Sequence, residues 1–345
     1  MGISDNIFKE KHQKTLIIAE AGINHNADLK LAMKLVDAAL DSGADIVKFQ
    51  IAVPNLMSTG YAKKAKYQLE NTNGSEMQLE MIRDLLLTTN EFKKVYNYCS
   101  KKGIECFFTA FDLESLSMVS SWGQNYFKVP SGEITNYPLL RNIASLDKPI
   151  LLSTGMSNLS EIEEAIDVLT NFGVERQNIT VLHCNTSYPT KMHDVNLLAM
   201  TAIQKAFNVK VGYSDHTLGI EVPIAAVSIG ACVIEKHLTL DREMKGPDHK
   251  ASLEPEEFYT MVRKIRNIET ALGNGLKLPT PSELPNKSVA RKSIVAAGPI
   301  RKGEVFSEQN LASKRPGTGI SPMRWTEVLG STATRDYEID EQIVI

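Results

Sequence analysis

Between residue 15 and about residue 272 one pattern recurs: a short apolar run, then a longer stretch with the period of an amphipathic helix. The runs fall at 15–19, 45–50, 104–108, 126–129, 150–153, 179–185, 209–214 and 231–238. They are apolar almost throughout rather than alternating, as expected of parallel strands covered on both faces. The stretches between them carry single stripes: Leu29, Ala32, Met33, Val36, Ala39 and Leu40 in one, Ile162, Ala165, Ile166 and Leu169 in another. Ser160 and Glu163 have the spacing of a capping box, and Gly43 and Gly173 stand where these helices should stop. Eight βα units in about 250 residues is the rhythm of a (β/α)8 TIM barrel. A doubly wound open sheet is the alternative, but it normally places a Gly-rich phosphate turn after its first strand. Here the first strand leads into Glu20-Ala-Gly-Ile-Asn-His-Asn26.

The pattern ends near Gly273. Residues 273–286, with Gly273, Gly275, Pro279, Pro281 and Pro285, read as a linker between a barrel domain, 1–272, and a small domain, 287–345. About 60 residues is near the lower limit for independent folding, so the small domain is expected to pack on the barrel or on another subunit. Hydrophobic residues at 43% and charged residues at 23% supply material for a large core. Lys plus Arg (38) against Asp plus Glu (41) leaves a net charge of -3, which excludes a chain-wide basic field for nucleic acid. Residues 1–14 are polar and mixed in charge, unlike a secretory signal. The longest apolar stretch, 222–234, falls short of the roughly 20 residues of a membrane helix. Cys99, Cys106, Cys184 and Cys232 are widely spaced with no C-x-x-C. A soluble, reduced, cytoplasmic protein is expected.

In a TIM barrel the chemistry sits at the C-terminal ends of the strands. Those ends carry Glu20, Lys48 and Gln50, Thr109, Lys128 with Ser131 and Glu133, Ser153 and Thr154, Asn185 with Tyr188, Ser214 and His216, then Glu235 and His237. Ser153 or Asn185 alone has an ordinary reading as a turn or cap residue. Lys48 and Lys128 each follow apolar residues, and a buried ammonium needs an anionic partner, either a carboxylate of the barrel or a bound anion. Period 2 puts Lys48 and Gln50 on one face, and Glu235 and His237 on another. His216 and His237 then end neighbouring strands. They either hold a divalent metal with open positions, suited to Mn²⁺, Co²⁺ or Mg²⁺, or are two hydrogen-bonded histidines without metal. Two lysines with a ring of hydroxyls suit a small phosphorylated anion. Glu20, Glu133 and Asp248 remain for proton transfer or for sugar hydroxyls.

These residues resemble the sialic acid (N-acetylneuraminate) synthase family. The matching stretches include Ala19-Glu-Ala-Gly-Ile-Asn-His-Asn26, Val47-Lys-Phe-Gln50, Lys128-Val-Pro-Ser-Gly-Glu133, Leu152-Ser-Thr-Gly-Met156, Leu182-His-Cys-Asn185, Gly212-Tyr-Ser-Asp-His-Thr217, Glu235-Lys-His237 and Gly246-Pro-Asp248. Lys302-Gly-Glu304 and Lys314-Arg-Pro-Gly317 look like the family's C-terminal antifreeze-like, or SAF, domain. The resemblance implies a transferase that condenses phosphoenolpyruvate with an open-chain N-acetylated mannosamine-type sugar and releases phosphate. It implies phosphoenolpyruvate binding by Lys48, Thr109, Lys128, Ser131, Ser153, Asn185 and Ser214. Sugar contacts would come from Gln50, Glu133, Tyr188, Asp248 and Arg315, and metal ligation, usually of Mn²⁺ or Mg²⁺, from His216 and His237. Glu20, Lys48 and Glu133 become the candidate catalytic groups. A domain-swapped homodimer would bring Arg315 to the partner's barrel. One departure is Phe108-Thr-Ala-Phe111, where the family typically has Ser-Thr-Pro-Phe, so the loop after Thr109 lacks a rigid Pro.

Tyr67-Gln68-Leu69, Phe111-Asp-Leu-Glu-Ser115 and Asp248-His-Lys-Ala-Ser-Leu-Glu-Pro255 look closest to the N,N'-diacetyllegionaminate synthase branch, whose sugar is 2,4-diacetamido-2,4,6-trideoxymannose. N-acetylmannosamine, the N-acetylneuraminate synthase substrate, is the alternative. A metal-dependent aldolase or hydrolase on the same barrel would not need two lysines among hydroxyls. A carbohydrate- or ice-binding protein is suggested only by the C-terminal segment, whose charges, Arg315 among them, do not suit a flat Thr-rich face.

Overall fold

The computed structural model describes residues 14–72 and 75–345. Residues 1–13 of the polar N-terminal segment lie outside the described residues. The chain divides into two compact units, with the division between Asn274 and Gly275.

The first unit is a (β/α)8 barrel. Its strands are β1 (Leu16–Gly22), β2 (Ile46–Ile51), β3 (Glu105–Ala110), β4 (Phe127–Val129), β5 (Ile150–Ser153), β6 (Ile179–Cys184), β7 (Lys210–Asp215) and β8 (Val233–His237). All pair in parallel in the order β3-β2-β1-β8-β7-β6-β5-β4, so each strand lies beside its neighbours in the chain and β1 closes on β8. Between β3 and β4 no ladder forms. The buried side-chain amide of Gln124 fills that seam: its Oε1 accepts from Phe108 N at 3.1 Å, and its Nε2 donates to the carbonyls of Phe108 and Tyr126. A glutamine thus satisfies backbone groups that a longer β4 would have paired.

The expected helical stripes are largely the buried ones. Ile162, Ala165, Ile166 and Leu169 are all buried, and in the first helix Ala32, Leu35, Val36 and Ala39 are. Leu40, at 36% exposure, lies on the flank of that stripe, and Leu35 takes the place it was expected to fill. The capping box is formed two residues earlier than expected, by Asn158 and Glu161, because Leu159 is already helical. Gly43 and Gly173 follow their helices with φ of 77° and 98°, the left-handed conformation that ends a helix at little cost to glycine.

Alternation along the strands builds the barrel interior in layers. The bottom layer is apolar: Ile18, Ile46, Phe107, Leu151, Leu182 and Val233 pack together. Gly212 on β7 leaves room for it, since a Cβ there would come within 2.6 Å of Leu182 Cδ2 and 2.5 Å of the Val233 carbonyl. Two residues further up the same strands come Glu20, Lys48, Thr109, Ser153, Cys184 and Glu235, with Ser214 above Gly212 on β7 and Lys128 on β4; all are buried and all but Cys184 are polar. The apolar layer closes the floor and the polar layer opens upward. The large core lies outside the strands, against the helices.

One ion pair lies on that outer side. Lys236, between Glu235 and His237, points away from the interior and donates from Nζ to Asp215 Oδ2 at 2.6 Å and to the Thr217 carbonyl. Asp215 also accepts from Thr217 N and Thr217 Oγ1. Both charges have no solvent exposure. The pair ties the end of β7, which carries His216, to the middle of β8, which carries His237.

The second unit holds the antiparallel pair β9 (Ser293–Ala296) and β10 (Leu311–Lys314). Its core is Ile294, Ala296, Ile300, Phe306, Leu311, Val328, Ala333, Tyr337 and Ile343.

Removing one partner of a fully buried pair strands the other charge. Lys236→Met is therefore expected to cost about 3–5 kcal/mol in urea denaturation. The double variant Lys236→Met/Asp215→Asn should cost less than the single one. A double variant as unstable as the sum of the singles would contradict this.

Candidate active site

The barrel mouth opens into a cavity of about 470 Å³. Of the residues singled out from the sequence, Glu20, Lys48, Gln50, Thr109, Lys128, Ser131, Glu133, Ser153, Tyr188, Ser214, His216, His237 and Asp248 all line it. Thr154 and Asn185 do not. The Asn185 Oδ1 accepts from Ser187 N at 2.8 Å within its own turn, and its carbonyl oxygen faces His216 Nδ1. Arg315 belongs to the second unit, where it is exposed and donates from Nε to the Ala290 carbonyl.

Glu235, at the centre of the polar layer, is the residue whose role the strand-end reading missed. Its Oε1 accepts from Lys128 Nζ at 2.5 Å and from Ser214 Oγ at 3.0 Å, and its Oε2 lies 3.3 Å from Lys48 Nζ. Lys48 also pairs with Glu20 Oε2 at 3.0 Å, and Glu20 Oε1 accepts from Gln50 Nε2 at 2.8 Å. Two ammoniums and two carboxylates thus form one neutral, water-poor cluster reaching from β1 and β2 through β8 to β4. Burial pulls Lys48 down, but the Glu20 and Glu235 carboxylates outweigh it and hold this lysine above its ordinary range. Lys128 is pulled down by burial, with Lys48 beside it, despite Glu235. Burial pushes Glu235 up, yet the two ammoniums hold it below the carboxylate range. Glu20 is raised, chiefly by burial.

Around this cluster stand hydroxyls with nothing to bond. Among the described residues, Thr109 Oγ1 and Ser153 Oγ are buried without a hydrogen-bond partner. Such groups are costly unless a ligand or water completes them. Ser131 Oγ accepts from the Gly155 amide at 3.0 Å and lies 3.3 Å from Cys184 Sγ. No side chain fits at Gly155: a Cβ would come within 2.5 Å of Thr186 and 2.8 Å of Ser131 Oγ. Two fixed cations beside spare hydroxyl donors make an arrangement suited to an anion.

The two imidazoles stand beside it with ring centroids 5.4 Å apart. Burial lowers His216 to about 4, and burial with the neighbouring His216 lowers His237 well below its ordinary value. Both are neutral near pH 7, the form that ligates metal. His216 Nδ1 is committed to the Asn185 carbonyl, which leaves its Nε2 lone pair for a ligand, the usual second partner of a metal-binding histidine. His237 Nδ1 is buried and unpartnered. The pair fits a divalent cation, though among the described residues no group of three or more His, Cys, Asp or Glu side chains is disposed to hold one. Any cation there takes its remaining ligands from water or substrate.

The upper rim is set by loops. Glu133, in the 3-10 turn Ser131–Glu133, accepts from Asn136 Nδ2 at 2.6 Å. Tyr188 lies over His216 at 4.2 Å between ring centroids and stacks on Tyr67 at 4.9 Å. Tyr67 follows β2 and Tyr188 follows β6, strands on opposite sides of the barrel, so the segment after β2 crosses the mouth. Asn71 anchors it beyond by donating to the Pro247 carbonyl at 3.1 Å. Tyr67 was visible in the sequence only as part of a branch motif.

With this geometry in view, the comparisons with known proteins agree. The NeuB family profile matches residues 35–277 and the SAF domain profile matches residues 291–344. The chain belongs to the NeuB family. It is 54% identical to the N,N'-diacetyllegionaminic acid synthase of Campylobacter jejuni, over 96% of this chain and 99% of that one. It is 45% identical to the enzyme of the same name from Legionella pneumophila, over 91% and 89%. Among solved structures, N-acetylneuraminic acid (sialic acid) synthetase from Leptospira borgpetersenii in complex with citrate superposes with a TM-score of 0.70 at 33% identity, covering 80% of this chain and 90% of that one.

Asp248 supplies a pH test of the cavity. Burial, with the Glu20 carboxylate, raises it from 3.8 to about 7. A raised carboxyl contributes stability that is present below its unfolded value and lost as pH rises through the folded one. Asp248→Asn removes that loss. Its stability relative to the parent, from urea denaturation, is expected to rise between pH 4 and pH 8. A pH-independent difference would show that Asp248 is not held protonated.

Proposed function

We propose that this chain is a nonulosonic acid synthase. It condenses phosphoenolpyruvate with an open-chain N-acetylated mannosamine-type sugar and releases phosphate, with 2,4-diacetamido-2,4,6-trideoxymannose as the sugar. The observation that carries the reading is the convergence of Lys48 and Lys128 on one buried carboxylate, beside unpartnered Thr109 and Ser153 hydroxyls and a neutral imidazole pair. The near-full-length likeness to two N,N'-diacetyllegionaminic acid synthases supports the choice of sugar.

In the reaction, the methylene carbon of phosphoenolpyruvate bonds to the aldehyde carbon of the sugar, and the aldehyde oxygen becomes a hydroxyl. Water adds to the resulting cationic C2 and gives up a proton. That proton offsets the one taken up by the aldehyde oxygen. The C2–O bond to phosphate then breaks, and the C2 hydroxyl gives its proton to the departing phosphate as the ketone forms. Lys48 and Lys128 hold the phosphate and carboxylate charges in a site with little water, where fixed charge is most effective. Thr109, Ser131, Ser153 and Ser214 orient those oxygens. Glu20, raised and facing Lys48, takes the proton from water. Gln50, Glu133, Tyr188 and Asp248 contact the sugar. His216 and His237 are the residues that would hold Mn²⁺ or Mg²⁺, which when bound supplies Lewis acidity toward the aldehyde oxygen. Asn185 serves by fixing His216 through its carbonyl. We read the enzyme as a cytoplasmic, domain-swapped homodimer in which the exposed Arg315 reaches the partner's sugar site. No helix among the described residues is long and apolar enough to cross a membrane.

Phosphate release from phosphoenolpyruvate should depend on added sugar. A hydrogen bond to a charged ligand is worth roughly 1.5–3 kcal/mol, about 10- to 150-fold. Lys48→Met and Lys128→Met should each raise the KM for phosphoenolpyruvate by that order and leave the sugar KM nearly unchanged. Sugar-independent phosphate release, or equal loss for both substrates, would refute the assignment.

A further inference from the structure

The cavity has a second lining that the chemistry above does not use. Between β2 and the helix Thr89–Lys102 the chain makes a long excursion over the mouth, and Met57, Met81, Ile82, Leu85 and Leu86 from it face the cavity, joined by Phe111 beyond β3. Met81 and Ile82 are buried in the helix Gln78–Leu85. This wall is carried by the excursion after β2 and by Phe111 after β3, whereas the imidazoles stand at the ends of β7 and β8. At the head of the same helix sits Gln78, which also lines the cavity. Its Oε1 accepts from Ser58 Oγ at 3.3 Å, and its Nε2 has no protein acceptor among the described residues.

The reacting aldehyde carbon must lie by the lysines and imidazoles. An open-chain hexose anchored there extends away from them, and its far end meets the excursion. A terminal hydroxyl against six apolar side chains would lose its water without a replacement partner. A methyl would be favoured there. An acetamido carbonyl two carbons nearer would meet an amide donor.

Resting on the condensation reading above, we infer that this wall is the subsite that selects a 6-deoxy sugar. Met81, Ile82 and Leu85 pack on the C6 methyl, and Gln78 Nε2 donates to the carbonyl oxygen of a C4 acetamido group. The excursion, rather than the barrel floor, reads which sugar enters.

Three sugars separate the contributions: N-acetylmannosamine, 2-acetamido-2,6-dideoxymannose and 2,4-diacetamido-2,4,6-trideoxymannose. A methyl-sized difference in an apolar pocket is worth roughly 10- to 200-fold in kcat/KM. Met81→Gln should reduce the preference for 6-deoxy over 6-hydroxy sugar by about tenfold or more. Gln78→Leu should reduce only the preference for the C4 acetamido group. Leu85→Gln, at a less buried position, repeats the first test if Met81→Gln folds poorly, and an unchanged KM for phosphoenolpyruvate marks an intact floor. If the parent enzyme prefers the trideoxy sugar but these variants slow all three sugars alike, the subsite is wrong and the enzyme reading stands. If the parent enzyme turns over N-acetylmannosamine best, the choice of sugar and the subsite fall together. If no sugar releases phosphate, the condensation reading itself fails.

Discussion

Two ammonium groups buried in one barrel, sharing the Glu235 carboxylate, are the constraint on which this structure depends. Neither charge is tolerable there alone. Lys128 meets Glu235 at 2.5 Å, and Lys48 is divided between Glu235 and Glu20. That neutral cluster lets the polar layer exist two residues above an apolar one on the same strands. It also leaves the cations aimed at a cavity in which Thr109 and Ser153 keep unsatisfied hydroxyls. An incoming dianion meets groups already desolvated and fixed, so little reorganisation remains at the moment of reaction.

The barrel was legible because burial on both faces writes strands as apolar runs and helices as stripes. Its strand ends were legible because period 2 puts every second residue inside. Lys48, Lys128, His216 and His237 could be picked out on that ground, and all line one cavity. The hub role of Glu235 was not, although it sits two residues before His237. Its partner Lys128 comes from β4, far from β8 both in the chain and in the barrel order. Only closure of the barrel brings them together. At Asn185 the sequence does not reveal that the side-chain Oδ1 accepts within its own turn. Likewise the choice of Asn158 over Ser160 as cap, and of Gln124 as seam, depends on where the chain enters the helix or leaves the ladder.

The mouth divides the work among elements of different rigidity. Strands hold the charges and the imidazoles, and the fully buried pair of Lys236 and Asp215 braces the two strands that carry the imidazoles from outside. Loops supply the rim. The excursion after β2 crosses the opening and touches the far side through Tyr67 on Tyr188. Changes in such a loop can reshape the rim while the charged floor stays as it is.

The central claim is that Glu235 keeps both lysines charged while they wait for an anion. Calorimetric titration of phosphoenolpyruvate, in buffers of differing ionisation enthalpy, counts the protons taken up on binding. The parent protein should bind with little proton uptake near pH 8. In Glu235→Gln, burial is no longer opposed by the carboxylate that holds Lys128 up. That lysine should therefore hold its proton less well before binding, and proton uptake should exceed the parent's. Equal uptake by the two proteins would contradict the claim, as would a parent protein that does not bind phosphoenolpyruvate.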